Sequence, residues 1–299
     1  MQQQHPGEGV ASTQTDSAPH GRAAASRAPR APGPPVLGIL GGMSWHSTLA
    51  YYRTINEQVA AARGGHASAR ILLSSLDFDE IRDCQLRGDW AAAGALLARE
   101  ATALERAGAG SIAIATNLMH KVAPAVEAAV AVPLVHIVDA VADAARQRGA
   151  RTLGIVGTRW VMAEPFYGDR LARHGIRAVV PDASAQVELD RIVFDELTQG
   201  TVTDASRAVF RAAFAALVDA GADAIVLACT EIMLLVGEAD ATVPLIDSCL
   251  AHASALARVA LGEASGDALA PDALQCVEHG LHRGNALRAM AMAQGDGPA

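Results

Sequence analysis

The chain has 299 residues but only one lysine, Lys121, and aromatic side chains make up 4% of it. A lone lysine confines any pyridoxal phosphate chemistry to one Schiff-base position, and no phosphate-cradling motif accompanies it. Chemistry without a cofactor is therefore expected. The four cysteines, Cys84, Cys229, Cys249 and Cys276, form no CxxC pair and no cluster with histidine. Scattered thiols of this kind fit a reducing, cytoplasmic compartment better than a disulfide framework. His46, His66, His120, His136, His174 and His252 show neither HxH nor HExxH spacing, so no metal site is expected. No apolar run approaches the roughly 18 residues of a membrane-spanning helix. A net charge of −8 argues against nucleic acid or an anionic membrane surface as partner. Residues 1–35 are rich in Ala, Pro, Gly, Ser and Gln and nearly free of aliphatic side chains. They are expected to be a disordered extension with no secretory leader. The tail at 263–299 has weak periodicity and receives no function.

What remains is rich in apolar residues, 51% over the whole chain, and it repeats itself. The segment AGAGSIAIATN at 107–117 returns as AGADAIVLACT at 220–230. LGILGG at 37–42 returns as LGIVGT at 153–158, and VPLV at 132–135 as VPLI at 243–246. Three elements in one order, at offsets of 111 to 116 residues, indicate two copies of a small domain, since solenoid repeats run only ~20–50 residues. Strands are expected at 36–40, 70–74, 111–115, 134–138, 152–156, 177–180, 224–227 and 243–246. Helices are expected at 47–61, 90–107, 165–174, 187–198, 205–220 and 249–261, the last capped by Asp247 or Ser248. Continuous apolar strands alternating with helices point to parallel sheets covered on both faces. The expected fold class is α/β, with two pseudo-symmetric parallel-sheet domains and a site in the cleft between them. The first domain would comprise 36–137 plus 243–262, and the second 138–242.

Each near-copy ends in polar residues at the carboxyl end of a strand, the edge where open α/β sheets bind ligands. Cys229 reads as a buried small hydrophobe or as a thiol whose pKa a nearby helix N-terminus lowers. Thr116-Asn117, its counterpart, reads as a cap for the following helix or as an anion site built on the same orphan N–H groups. Gly41-Gly42-Met43 is neither a dinucleotide fingerprint nor a phosphate loop; a tight turn beside a small ligand accounts for it. His120 and His136 read as structural hydrogen-bonders.

The ordered set Gly41-Gly42-Met43, Thr116-Asn117-Leu118-Met119-His120, Gly157-Thr158 and Cys229-Thr230-Glu231 resembles the aspartate/glutamate racemase family over roughly residues 36–261. The resemblance is to cofactor-independent racemases, and to a subgroup with threonine in place of the first catalytic cysteine. It implies an α-proton removed from one face of an amino acid while the other face is reprotonated. Cys229 and Thr116 would be the two acid/base positions. Met43, Gln85, Asn117, Leu118, Met119, Thr230 and Glu231 would line the substrate site. It also implies a homodimer whose small-molecule substrate is aspartate or glutamate. A hydroxyl is a far weaker acid than a thiol, so a direction bias is expected. No basic residue opens the 187–198 helix, where the family often has one; Arg82 or Arg159 would then meet the distal carboxylate. A single-cysteine decarboxylase or isomerase of a small diacid, and a non-catalytic carboxylate binder, stand as alternatives.

Overall fold

A computed structural model describes residues 34–263. The extension at 1–33, the tail beyond 263 and Cys276 lie outside the described residues. In the first half the chain forms β1 (Val36–Gly41), α1 (Trp45–Arg63), β2 (Arg70–Ser75), α2 (Phe78–Arg87), α3 (Trp90–Arg106), β3 (Ser111–Ile114), α4 (Ala123–Ala129), β4 (Leu134–Val135) and α5 (Ile137–Gln147). The second half forms β5 (Thr152–Gly157), α6 (Arg159–Ala163), α7 (Pro165–Arg173), β6 (Arg177–Val179), α8 (Ala183–Arg191), α9 (Asp204–Asp219), β7 (Ala224–Ala228), β8 (Leu245–Asp247) and α10 (Ser248–Leu261).

The strands make two four-stranded parallel sheets of identical plan, β2-β1-β3-β4 and β6-β5-β7-β8. The register repeats as well: Leu37 pairs with Ser111, and Leu153 with Ala224. β1, β3, β5 and β7 are buried along nearly their whole length, which is why they read as unbroken apolar runs.

The two lobes exchange helices. α5 leaves the first sheet, yet its buried face (Ile137, Val138, Val141, Ala142 and Ala145) packs with Leu153, Ile155, Tyr167 and Val226 of the second lobe. α10 leaves the second sheet and packs Ala253, Leu256, Ala257 and Ala260 against Leu37, Ile39, Ile55 and Val59 of the first. Strand β8, expected with the first domain, hydrogen-bonds to β7 in the second sheet. The return to the first lobe is made by α10, whose N-cap is Asp247, accepting from the Cys249 and Leu250 N–H groups.

Three further departures have local causes. The strand expected at 134–138 stops at Val135, because the His136 ring caps α5 by accepting from the Val138 N–H at 3.2 Å. The apolar residues that follow are buried at helical, not alternating, spacing. α2 was not expected: its polar sequence hides a short helix capped at Asp77. The helix expected at 187–198 begins at Ala183, capped by Asp182, and passes into a wider π turn at Ile192–Glu196.

Buried histidines join the lobes where the helices cross. His120 donates from Nδ1 to the Thr116 carbonyl at 2.8 Å and accepts at Nε2 from the Ile137 N–H at 3.1 Å. Two backbone partners of opposite kind fix a single neutral tautomer. His252 donates from Nε2 to the Val135 carbonyl and accepts at Nδ1 from the Tyr51 hydroxyl, each at 2.8 Å. The His120 ring lies 4.4 Å from that of His136 and 5.7 Å from that of His252. Burial pushes all three below the ordinary histidine range, His136 to about 3 and His252 to about 4, and neighbouring positive charge adds to it for His120 and His136.

Two outcomes are expected. Leu256→Ala removes a fully buried side chain that joins α10 to the first lobe and should cost about 2–5 kcal/mol in urea unfolding. Depressed histidine pKa values mean that the unfolded chain binds protons the folded one refuses. Their contribution is intact above the unfolded value near 6.5 and declines as pH falls through about 4. Melting temperature should therefore drop steadily from pH 7 to pH 4, and His252→Gln should make that slope shallower.

Candidate active site

In each sheet the strand order reverses beside the first strand of the repeat, between β1 and β3 and between β5 and β7. Crevices open at the carboxyl ends of strands at such points. The two crevices meet in one cavity of about 280 Å3. Gly42–Ser47 after β1 and Ala115–Leu118 after β3 line one wall. Thr158 after β5 and Ala228–Glu231 at the end of β7 line the other, with Val193 and Phe194 from the π turn and Thr198 just beyond it.

The turn after β1 depends on Gly42, whose φ is +85°. A Cβ there would lie 2.0 Å from the Leu76 carbonyl oxygen, so no side chain fits. The Gly42 N–H donates to Thr48 Oγ1 at 2.8 Å, and the following Met43 and Ser44 face the cavity at the start of α1.

Thr116 and Cys229, the two positions singled out by the repeat, both line the cavity, each just beyond the end of its strand. Their surroundings differ. The Thr116 hydroxyl makes no hydrogen bond to any described residue, while its carbonyl accepts from His120. The Cys229 Sγ donates to Glu231 Oε2 at 3.2 Å. Burial, then the Glu231 charge, push the thiol well above the ordinary cysteine range. This reverses the lowering expected from a helix N-terminus: the segment after Cys229 is only a five-residue 3-10 turn, Thr230–Leu234. Its N–H groups favour the thiolate, but less than burial and the carboxylate oppose it.

Of the other expected lining residues, Met43, Gln85, Asn117, Leu118, Thr230 and Glu231 border the cavity. Met119 does not. Its side chain is fully buried in the first-lobe core, where its sulfur accepts from Gln85 Nε2 at 3.4 Å. Asn117 is no helix cap either. Its Nδ2 donates to Ser248 Oγ at 3.0 Å, and that hydroxyl donates to the Leu227 carbonyl at 2.8 Å, tying the loop after β3 to β7.

Sequence reasoning missed several cavity residues. Cys249 and Tyr51 line the cavity although they sit on α10 and α1, because the helix exchange brings α10 against the first lobe. Ser47 reaches across to the second lobe, its Oγ 2.8 Å from Thr230 Oγ1. Thr158 borders the cavity, and its Oγ1 is buried without a hydrogen-bond partner among the described residues. Among the described residues no lysine or arginine belongs to the lining. Arg82 stands beside it, its guanidinium carbon 4.6 Å from the centre of the Phe194 ring and 5.4 Å from that of Trp160. Its Nη1 donates to Gln85 Oε1 at 3.4 Å. Arg159, the other arginine considered, is exposed and lies over Trp160 alone.

Among the described residues no group of three or more His, Cys, Asp or Glu could hold a metal ion, and no helix is long and apolar enough to cross a membrane. The family model for Asp/Glu/hydantoin racemases matches residues 40–256. The chain is similar to a crystal structure of a candidate Asp/Glu racemase from Yersinia pestis, at 45% identity and a TM-score of 0.73, covering 76% of this chain and 99% of that one. An aspartate racemase homologue from Pyrococcus horikoshii OT3 is 33% identical, with a TM-score of 0.66 and coverage of 75% and 98%. The aspartate racemase of Picrophilus torridus, at 21% identity and a TM-score of 0.61 over 80% and 97% of the two chains, shares the fold.

Proposed function

The chain belongs to the Asp/Glu/hydantoin racemase family, and from that premise we propose that it is a cofactor-independent isomerase of aspartate or glutamate. The observation that carries the reading is the pairing of Thr116 with Cys229. They end equivalent strands of a duplicated fold and line one cavity. In the reaction the Cα–H bond breaks toward Cys229, whose thiolate takes the proton. The electron pair stays on the α-carbon and spreads into its carboxylate. The opposite face takes a proton from the Thr116 hydroxyl, which solvent replenishes. The proposal extends to a cytoplasmic homodimer, supported by the free thiols of Cys84, Cys229 and Cys249 and by an exposed apolar stripe of Trp45, Leu49 and Tyr52 on α1.

The unequal partners cannot bias kcat/KM, although kcat and KM can each differ between the two directions. Enantiomers have equal free energies, so kcat/KM must match in the two directions. The asymmetry belongs instead to the fate of the proton. The enantiomer that presents its α-hydrogen to Cys229 should exchange it with solvent more often than it inverts, because returning a proton from sulfur is easier than drawing one from a hydroxyl.

Incubating each pure enantiomer in deuterated buffer tests this. Label should enter one enantiomer with retention faster than inversion, and Cys229→Ser should cut exchange at least ~100-fold. The reading fails if neither aspartate nor glutamate exchanges or inverts. A substituted malonate and maleate, run alongside, read out the decarboxylase and isomerase alternatives. Bound ligand without turnover would indicate a binder.

We assign the distal carboxylate to Arg82. Its stacked guanidinium is the cation beside the Gln85 and Phe194 wall, and Arg pairs with carboxylates through charge-assisted hydrogen bonds. Arg82→Gln should raise KM for both acidic amino acids roughly tenfold or more, with a smaller change in kcat. A variant with unchanged KM removes Arg82 from substrate recognition.

A further inference from the structure

The second lobe carries a hydrogen-bond chain that its repeat partner lacks. Glu231 Oε2 accepts from Cys229 Sγ at 3.2 Å and from Thr230 Oγ1 at 2.7 Å. The one proton of the Thr230 hydroxyl is thereby committed to the carboxylate, so its contact with Ser47 at 2.8 Å must be donated by Ser47. Ser47 is a buried residue of α1 in the first lobe, and the chain Ser47–Thr230–Glu231–Cys229 therefore crosses the cleft. At the matching place in the first lobe, Thr116-Asn117-Leu118, a leucine stands where the second lobe has Glu231. Among the described residues no carboxylate attends Thr116.

A thiol that burial and a neighbouring negative charge hold in its protonated form cannot act as a base until it gives up that proton. We propose that Glu231 receives it, acting as the internal base that turns Cys229 into a thiolate while Ser47 and Thr230 hold the carboxylate in place. The Sγ–H bond breaks, its electron pair remains on sulfur, and the proton moves to Oε2, so the pair keeps one negative charge during the hand-off. After the thiolate has taken the substrate's α-proton, the Oε2 proton leaves to solvent in the cavity. Glu231 thereby passes from a lining residue to a positioning and proton-holding residue. Of the other titratable groups, Cys249 at the start of α10 faces Glu231, with Asp247 and Tyr51 beside Cys249, and His46 lies at the cavity edge. No lysine or arginine of the lining is placed to stabilise the thiolate in its stead.

The hand-off is a property of the free protein and rests on the racemase reading only for the identity of the carbon acid. The test uses Glu231→Gln in the full chain, following the pH dependence of Cys229 alkylation by iodoacetamide through its peptide mass, beside α-hydrogen exchange of aspartate and glutamate. Removing the negative charge should move the alkylation midpoint down by roughly one pH unit, making the thiol more reactive at pH 7. Turnover should nevertheless fall ~100-fold, the lower end of what a general base contributes. A merely structural role would move both in the same direction. Glu231→Asp, which keeps the acid but withdraws it by one methylene, should recover part of the turnover. Ser47→Ala should lower turnover with little shift in the midpoint. An unmoved midpoint in Glu231→Gln, or wild-type turnover in that variant, overturns the hand-off. A wild-type protein that exchanges no acidic amino acid refutes the racemase reading, and the alkylation midpoint then decides the hand-off alone.

Discussion

Everything at the cleft depends on the exchange of two helices. α5 is delivered by the first sheet and buried against the second; α10 is delivered by the second and buried against the first. Apolar burial of this kind, at about 25 cal/mol per Å2, is the main attraction available to parallel sheets that must be covered on both faces. Here it is spent across the lobe boundary. The neutral histidines sit where the crossing chains meet and supply backbone groups there with partners, His120 linking the Thr116 carbonyl to the start of α5 and His252 linking α10 to β4. Water is kept from groups that would otherwise be orphaned at the junction.

That framework delivers two equivalent strand ends to one cavity and leaves them chemically unlike. Beyond β7 the thiol has a carboxylate at hydrogen-bond distance, itself held by the Thr230 hydroxyl, which in turn meets Ser47 of the other lobe. Beyond β3 the hydroxyl of Thr116 faces the cavity with its own side chain unbonded, and the nearby histidine is already committed to backbone. The fold symmetry is high and the site symmetry is low. Duplication fixed the positions of the two groups, and the residue two places after each decided what they can do.

Much of this was legible in the sequence because its signals are periodic or repeated. The buried runs at β1, β3, β5 and β7, the capped helix after Asp247 and the coupled positions Thr116 and Cys229 all follow from local pattern. The misreadings arose where tertiary contact overrides local pattern. Ile137 and Val138 extend an apolar run, so they read as strand, yet a histidine cap and burial against the other lobe make them helix. Strand β8 matches β4 in sequence and was grouped with its sheet, although the duplication implies a place in the copy's own sheet. Cys249 and Tyr51 sit on separate helices, and only the helix exchange turns them toward the cavity. The direction of the Cys229 shift was missed because burial, and then an acid two residues along that bends back onto the thiol, raise it, and spacing alone specifies neither.

The helix exchange also governs how the molecule can move. Lobes joined by a flexible tether can swing apart like a hinge. Lobes that each hold a helix of the other, with α5 and α10 packed together between them, must slide those helices past one another for the walls to part. Such shear proceeds in small steps, because interdigitated side chains resist larger ones. Ser47 and Thr230 bridge the same gap, so a small slide would break their hydrogen bond before the cavity had opened by the width of an amino acid. Admission of a ligand and alignment of the acid beside Cys229 are thus mechanically one event.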